Sequence, residues 1–193
     1  MARKRPGLGG ALLRLAGAAA LGYAARSRIR DADARARTLL ATPRTDGLDR
    51  ALPALTDLGS TYALGGAAAV LALFGKRTLA RDVLGAGGLA WAVAQALKVV
   101  YRTDRPYEAE GAELLVRKPA GRSYPSGHPA VSMAVSRVLR AQVHAPATAV
   151  IERLPGLVAY SRVYVGAHYP SDVIGGLLLG RALGDLWVRY ARR

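Results

Sequence analysis

The chain has 193 residues, which is enough for one domain with a substantial core but short for two. It contains no cysteine, so the sequence excludes disulfides and thiolate metal sites. The net charge of +15 would suit nucleic acid, but the chain has one Phe, two Trp and no DNA- or RNA-reading signature. We therefore expect no nucleic-acid partner, and a charge that faces anionic lipid or a phosphorylated substrate. Hydrophobic residues make up 51% of the chain, many of them Ala, which leaves both a membrane protein and a soluble helical bundle open.

The first predicted element follows a basic start. Arg3, Lys4 and Arg5 precede an apolar run from Leu8 to Ala25 that is interrupted only by Arg14. A basic start followed by a short apolar stretch with small residues is also typical of a signal peptide. Because the run is interrupted and no convincing cleavage site follows it, the sequence favours an uncleaved first helix.

Residues 26–50 interleave arginine with aspartate. The charged residues are Arg26, Arg28, Arg30, Asp31, Asp33, Arg35, Arg37, Arg44, Asp46, Asp49 and Arg50. Mixed charges at these spacings are typical of a solvated helix face, and a basic segment beside apolar spans suits anionic headgroups. We therefore predict no catalytic role for this segment.

Two longer apolar stretches come next. Leu58 to Gly75 comprises 18 residues without a charge, which predicts a transmembrane helix. The second stretch, Val83 to Leu97, runs directly into Lys98 and a polar segment. Several predicted helices are short or carry charges, which argues against full membrane burial, although long Arg side chains near helix ends can reach the membrane surface.

The C-terminal part predicts three more helices. They begin after Gly127, after a link around Ala145 and Pro146, and at about Ser171, and the second ends at about Tyr160. The last helix runs to Tyr190 and carries small residues four apart on one face: Gly176, Gly180 and Gly184. Such spacing lets helices approach closely, as in membrane bundles. No stretch alternates as a strand does, so the predicted fold is all-α, with five or six helices.

A cation, an imidazole and a carboxylate concentrate between Ser161 and Asp172. His168 and Asp172 are four residues apart, a spacing that lets two side chains meet over one helical turn. A carboxylate that accepts a proton from one ring nitrogen fixes the tautomer and makes the other nitrogen a better nucleophile. Taken alone, Pro170 and Asp172 fit an ordinary helix N-terminus at least as well.

Two upstream stretches supply what this one lacks. Six residues separate Lys98 from Arg105, and Pro106 follows where the apolar helix has ended. Pro125-Ser126-Gly127-His128 predicts a turn into a helix, whose unpaired N–H groups form a natural anion site. Each stretch alone also fits an ordinary helix end or turn.

Taken together, the three stretches suit a phosphoryl group. Lys98, Arg105 and Arg162 have no acidic partner within their motifs, and arginine forks with a lysine point charge match the oxygens of a phosphorane-like state. His128 and His168 are two of the three histidines in the chain, and the third, His144, is interpreted as polar filler between helices.

At this point the sequence resembles the type 2 phosphatidic acid phosphatase superfamily, also called lipid phosphate phosphatases. The tripartite signature of that family is matched at eleven positions over 75 of 193 residues. Its three blocks are Lys98-x6-Arg105-Pro106, Pro125-Ser126-Gly127-His128 and Ser161-Arg162-x5-His168-x3-Asp172.

The resemblance implies a helical bundle with the active site at one end. It also implies that His168 is the nucleophile, that Asp172 orients it, and that His128 is the general acid for the leaving oxygen. The residues implied to bind phosphate are Lys98, Arg105, Ser126, Gly127 and Arg162. We expect one phosphatase domain over residues 1–193, with a basic part at 1–50 and a core bundle at 58–190.

The resemblance also sets the expected activity and location. It implies a phosphatase that acts on a lipid phosphate or a polyprenyl (di)phosphate through a phosphohistidine. The cations at the motifs, and the lack of a carboxylate cluster suited to Mg²⁺, predict an activity without a metal or another cofactor. It further implies a multi-pass protein of the cell inner (cytoplasmic) membrane. Soluble bacterial acid phosphatases and vanadium haloperoxidases share the pattern, and a catalytically idle membrane scaffold is a further alternative. The sequence does not identify the lipid.

Overall fold

The fold is a helical bundle, seen here in a computed structural model that describes residues 6–42, 44–142 and 147–191. Within these ranges no strand is present, and the helices are α1 (Leu8–Ala24), α2 (Arg30–Leu40), α3 (Asp46–Asp57), α4 (Thr61–Leu73), α5 (Arg77–Tyr101), α6 (Pro106–Ala109), α7 (Gly127–Arg140), α8 (Ala147–Tyr164) and α9 (Pro170–Tyr190). The predicted all-α class is confirmed, but five or six helices was too few. The additional ones, α2, α3 and α6, are short and lie outside the main apolar runs.

Some predicted features lie outside the described residues. These are the basic start at Arg3, Lys4 and Arg5, the link at Ala145 and Pro146, and His144.

The centre of the bundle is the contact between α7 and α9. A Cβ added at Gly176 would collide with the carbonyl oxygen of Ser126, and one added at Gly180 would collide with the backbone of Ala130. Both positions must therefore be glycine if the two helix backbones are to lie this close. The prediction of close packing along this glycine face is confirmed.

Small residues also bring α5 against α7. Ala86, Ala90 and Ala94 recur every four residues on α5 and are fully buried. They belong to the main hydrophobic core, which α7 and α9 complete with residues such as Val138 and Leu179. Because the alanine side chain is small, the helices in this part of the core pack with their backbones close together.

The charges that interrupt the apolar helices meet at the end of the bundle away from the start of α9. Arg14, which breaks the first apolar run, lies 3.3 Å from Asp185, and Arg137 lies 2.6 Å from the same carboxylate. Asp185 is buried, and its carboxylate forms an ion pair with each of the two arginines. A buried charge of this kind requires such partners.

The uncharged run from Leu58 to Gly75 is not one long helix, and that prediction was wrong. Leu58 ends α3, and Ser60 caps α4 by accepting a hydrogen bond from the Ala63 N–H at 3.1 Å. The resulting helix has 13 residues and is about 20 Å long, less than the ~30 Å hydrocarbon core of a bilayer. By length and composition, the stretch of described residues apolar enough to span is instead Arg77–Ala109, which contains α5.

The charged segment 26–50 forms α2 and the start of α3. Arg37 pairs with Glu110 at 3.0 Å, and Arg44 pairs with Glu113 at 3.0 Å, so part of this segment is tied to the loop after α6. Asp33 is only 6% exposed, which contradicts the prediction of a fully solvated face at that position.

Candidate active site

Three helix boundaries carry the predicted site residues to one end of the bundle. Lys98 lies in the last turn of α5, and Arg105 is the N-cap of α6. Ser126 is the N-cap of α7, directly before Gly127 and His128. Helix α8 continues to Tyr164, four residues beyond its predicted end, so Arg162 lies in its last turn.

His168 lies in the turn between α8 and α9, and Asp172 lies in the first turn of α9. Pro170 occupies the first helical position, where its missing N–H leaves no hydrogen bond unmade. The interpretation of this stretch as a helix N-terminus is therefore correct, and it places His168 beside Asp172 at the same time.

The predicted residues come together around one cavity. Its volume is about 300 Å³, and the predicted residues that line it are Lys98, Arg105, Gly127, His128, Arg162 and His168. Ser126 and Asp172 are buried behind the lining. Arg105 and Arg162 are 1% and 3% exposed, so two guanidinium groups lie almost entirely inside the protein.

The hydrogen bonds of His168 determine its tautomer. Its Nε2 lies 3.1 Å from an Arg105 guanidinium nitrogen, which can only donate, so Nε2 must be the unprotonated nitrogen. Nδ1 therefore carries the proton and faces both Ser123 Oγ at 3.3 Å and Asp172 Oδ2 at 3.4 Å. The lone pair of Nε2 accepts the Arg105 hydrogen bond, and it can attack phosphorus once that bond is released.

Asp172 is held by donors that come from different parts of the chain. Its Oδ2 accepts hydrogen bonds from Ser123 Oγ at 2.5 Å and from the Tyr169 N–H at 2.9 Å. The backbone carbonyl oxygen of Asp172 accepts a hydrogen bond from the Ser126 N–H at 3.0 Å. This bond ties α9 to the start of α7. The sequence did not identify Ser123, because a serine beside a Tyr-Pro turn gives no distinctive signal.

Arg105 is bound mainly by backbone carbonyl groups. It donates to the carbonyl oxygens of Ala120, Gly121, Arg122 and Ala167 at 2.9–3.2 Å, besides its contact with His168. The guanidinium thus joins the loop before α7 to the turn that carries His168. Direct binding of phosphate by Arg105, which the resemblance implies, would require it to exchange some of these contacts.

Two other groups retain unused hydrogen-bonding capacity. Arg162 donates to Thr56 Oγ1 at 3.2 Å, but its Nε is buried with no partner among the described residues. Ser126 Oγ is likewise buried with no partner in that part of the chain. Buried polar atoms are nearly always satisfied, so unpartnered groups beside a cationic cavity indicate a site for an oxyanion.

The surroundings of His168 keep its ring neutral. Complete burial is the main reason why the pKa of His168 lies well below the usual value, and the positive charges of Arg105, Arg162 and Lys98 lower it further. A neutral imidazole at neutral pH is the form that can attack phosphorus. A bound phosphate would oppose the cations and favour the imidazolium that forms during the reaction.

A second, wider cavity adjoins the first. Its volume is about 640 Å³, it shares His128 and Arg162 with the first cavity, and it opens between α3 and the loop before α7. Its rim includes three cations and one acid: Arg50, Arg117, Lys118 and Asp57. The charged residues that line both cavities are therefore mainly cations, and the cavities meet at His128 and Arg162.

Comparison with known proteins begins with families. A family model described as the PAP2 superfamily matches residues 79–193, which include all three motif blocks. The chain is 32% identical over 124 residues to undecaprenyl-diphosphatase BcrC of Bacillus subtilis, covering 62% of this chain and 63% of that protein. It is 34% identical over 123 residues to decaprenylphosphoryl-5-phosphoribose phosphatase of Mycobacterium tuberculosis, covering 61% of this chain and 67% of that protein. An undecaprenyl-diphosphatase of Sulfolobus acidocaldarius is matched over only half its length.

Two solved structures share the fold. LpxE from Aquifex aeolicus superposes with a TM-score of 0.74 at 28% identity, covering 81% of this chain and 94% of that one. A transmembrane PAP2 type phosphatidylglycerolphosphate phosphatase from Bacillus subtilis has a TM-score of 0.78 and covers 91% of this chain and 92% of that one. At 23% identity, the second likeness concerns the fold alone.

Proposed function

The chain belongs to the PAP2 superfamily, and from this we propose that it is a metal-independent phosphatase acting on a lipid phosphate or a polyprenyl (di)phosphate. The observation that carries the proposal is His168, whose Nε2 faces a cavity lined by Lys98, Arg105 and Arg162. The relatives support this substrate class, because two of them are named as phosphatases of polyprenyl compounds.

The first half of the reaction transfers the phosphoryl group to the protein. His168 Nε2 attacks phosphorus and the bond to the leaving oxygen breaks. Burial and the cations Arg162, Lys98 and Arg105 lower the pKa of His128 before substrate binds; the anionic substrate offsets those cations, so that His128 takes up a proton and donates it to the leaving oxygen. The Nδ1 proton remains between His168 and Asp172, whose carboxylate stabilises the positive ring of the phosphohistidine. The alcohol or the polyprenyl monophosphate then leaves.

Charge on the three equatorial oxygens is stabilised by the groups around the cavity. Lys98 and Arg162 supply positive charge, and we assign two hydrogen-bond donors at the start of α7 to the same oxygens, the Ser126 hydroxyl and the Gly127 N–H. Arg105 stops donating to His168 Nε2 when that nitrogen bonds to phosphorus, which frees the same guanidinium N–H for a phosphate oxygen. In the second half of the reaction, water attacks the phosphohistidine, His128 accepts its proton, and inorganic phosphate is released.

The two cavities give the substrate and the water separate routes. The smaller cavity extends to Tyr62 and Trp91, which lie on the apolar surface of α4 and α5. We assign the lipid chain to this side. The wider cavity, with its cationic rim, is assigned to the entry of water and the exit of phosphate.

We also place the protein in a membrane, as a multi-pass protein of the cell inner membrane. Large apolar side chains point outward from the bundle: Leu13, Leu73 and Phe74 are 75%, 87% and 79% exposed. Such a surface is unfavourable in water and favourable in lipid. On this proposal residues 1–193 form one phosphatase domain.

The alternatives are less well supported. The curated relatives are named for polyprenyl substrates, which does not favour a soluble non-specific acid phosphatase or a haloperoxidase. A catalytically idle scaffold would have no reason to keep buried cations beside a neutral histidine, because such an arrangement is costly without an anion.

The test is a phosphate-release panel in detergent, using phosphatidic acid, phosphatidylglycerol phosphate and polyprenyl mono- and diphosphates. We expect activity that persists in EDTA, strong inhibition by vanadate, and none in His168→Ala. Activity that is lost in EDTA and restored by Mg²⁺ would contradict the metal-independent mechanism. Release from no lipid, in a protein that still binds phosphate, would contradict the proposed substrate class.

A further inference from the structure

Helix α2 contributes to the catalytic end of the bundle although it precedes the region matched to the family, residues 79–193. It is rich in charge, and most of its charged side chains face outward or form pairs at the surface. Asp33 is the exception, because it is buried against the start of α9. The proposed reaction as set out above has no role for it.

The carboxylate of Asp33 caps α9 from a different helix. Oδ1 accepts a hydrogen bond from the Ser171 N–H at 2.9 Å, and Oδ2 accepts one from the Ser171 hydroxyl. Ser171 is the second residue of α9, a position whose N–H is usually satisfied by the N-cap side chain. Here the N-cap is Tyr169, so a carboxylate 138 residues away in sequence provides the acceptor.

Helix α2 also contacts Tyr169, the N-cap of α9, both directly and through Glu110. The Arg30 guanidinium lies over the Tyr169 ring, 4.9 Å from its centre. The Tyr169 hydroxyl donates to Glu110 at 2.5 Å, and Glu110 pairs with Arg37 of α2. Helix α2 therefore holds residues 169–171 from several directions.

This turn also holds the catalytic pair. Asp172 directly follows Ser171, and its Oδ2 accepts the Tyr169 N–H and faces His168 Nδ1. A shift of the first turn of α9 would move Asp172 relative to His168. The 3.4 Å separation between them is already at the long end of a hydrogen bond, so a small displacement would break it.

Asp33 carries this role at an energetic cost. Burial raises its pKa, while the hydrogen bonds from Ser171 and the positive charge of Arg30 oppose that rise. Among the described residues, no cation lies within ion-pair distance of its carboxylate. Both hydrogen bonds that the buried Asp33 carboxylate accepts within the described ranges come from Ser171, so its structural role is to hold that residue.

We propose that Asp33 is a positioning residue, which fixes the first turn of α9 so that Asp172 holds His168 with Nε2 directed at phosphorus. The inference rests on the proposed function, because the geometry it protects is that of the phosphohistidine reaction. Asp33 contacts neither substrate nor the reacting atoms, and it acts through Ser171 and Asp172.

The test compares Asp33→Ala and Asp33→Asn with Asp31→Ala. Asp31 lies in the same turn of α2 and is exposed, and its side chain forms no hydrogen bond or ion pair within the described part of the chain, so it is a matched control. We expect Asp33→Ala to lower kcat by about 10²-fold, a typical cost of misplacing a reacting group. KM should be nearly unchanged, because Lys98 and Arg162 are not touched. Asp33→Asn keeps one oxygen acceptor and should lie between Ala and the wild type.

Binding of two anions, measured by calorimetry in detergent, gives a readout that a merely structural role would not move. Vanadate mimics the five-coordinate state and needs a bond from His168 Nε2, so its affinity for Asp33→Ala should fall by a factor similar to kcat. Inorganic phosphate needs only the cationic cavity, so its affinity should stay within about twofold by the same reasoning.

Two results would overturn the inference. One is an Asp33→Ala protein as active as Asp31→Ala. The other is an equal loss of vanadate and phosphate binding, which would show a general collapse of the site. A wild-type protein that hydrolyses no lipid phosphate would instead count against the proposed function, and the two binding affinities would still decide the role of Asp33.

Discussion

Replacing Asp172 with Asn tests how the carboxylate acts on His168. Three donors converge on one oxygen of Asp172, because Ser123 Oγ, the Tyr169 N–H and His168 Nδ1 all face Oδ2. The amide oxygen of Asn can take that position and keep all three contacts. We therefore expect Asp172→Asn to preserve the fold and the His168 tautomer while it removes the negative charge.

The size of the effect follows from the separation. In the phosphohistidine the ring is positive, and Nδ1 lies 3.4 Å from the carboxylate oxygen. Coulomb's law with an effective dielectric constant of about 20 gives about 5 kcal/mol for unit charges at that distance. The neutral hydrogen bond that Asn retains contributes about 1 kcal/mol. The remaining deficit of about 4 kcal/mol corresponds to phosphoenzyme formation slower by roughly 10³-fold.

The assay is rapid-quench trapping of phosphohistidine in single-turnover reactions, with thermal unfolding as the control for the fold. Asp172→Ala is the comparison, because it removes the shared acceptor and should lose stability as well as activity. A rate for Asp172→Asn within tenfold of the wild type would show that the charge matters little. Complete loss of phosphoenzyme, as expected for His168→Ala, would show that the tautomer had reversed and that the convergence on one oxygen was misinterpreted.

Three further predictions concern the histidines, the pH dependence and the buried ion pairs. His128→Ala should lower the rate with an alkyl phosphate by about 10²- to 10⁴-fold but lose less with a nitrophenyl phosphate, whose leaving group needs no proton; equal losses would contradict its role as general acid. The pKa of His168 is lowered in the folded protein, so at a pH below the ordinary histidine pKa of about 6.5 the unfolded state binds a proton that the folded state does not. The melting temperature should therefore fall as the pH drops below about 6.5. The decrease in melting temperature should be smaller in His168→Gln, because glutamine does not titrate. If His168→Gln and the wild type show the same dependence on pH, His168 is not the cause of the decrease. Asp185→Ala leaves Arg14 and Arg137 without their shared partner and should lower the free energy of unfolding, measured with urea, by about 3 kcal/mol. Glu152→Ala breaks a half-exposed ion pair with Arg140 and should lower it by less than about 1 kcal/mol.

Average composition hides local features of two segments. The run from Leu58 to Gly75 contains no charge, which predicts one helix, but Ser60 caps a new helix inside it. Hydrophobicity measures where a segment can be buried, whereas a cap determines where a helix begins. The charged segment 26–50 was interpreted as solvated for a similar reason, since its average composition concealed the one buried carboxylate, Asp33.

The sequence by itself determined the features that depend on local order. Apolar runs without strand-like alternation predicted the all-α class, and the glycines of α9 predicted close helix packing along that face. The three motif blocks identified residues that the fold brings around one cavity. These features follow from the spacing of side chains on a helix and from side-chain chemistry, both of which can be read along the chain.

Only the tertiary structure decided which groups support the site. Ser123 donates to Asp172 across 49 residues, Asp33 caps α9 across 138 residues, and Arg105 binds the carbonyl group of Ala167 across 62 residues. Serine, aspartate and a backbone carbonyl are common groups without a distinctive spacing, so their partners cannot be recognised from one sequence. Hydrogen bonds act over about 3 Å, and which distant residues come that close is decided by the packing of whole helices.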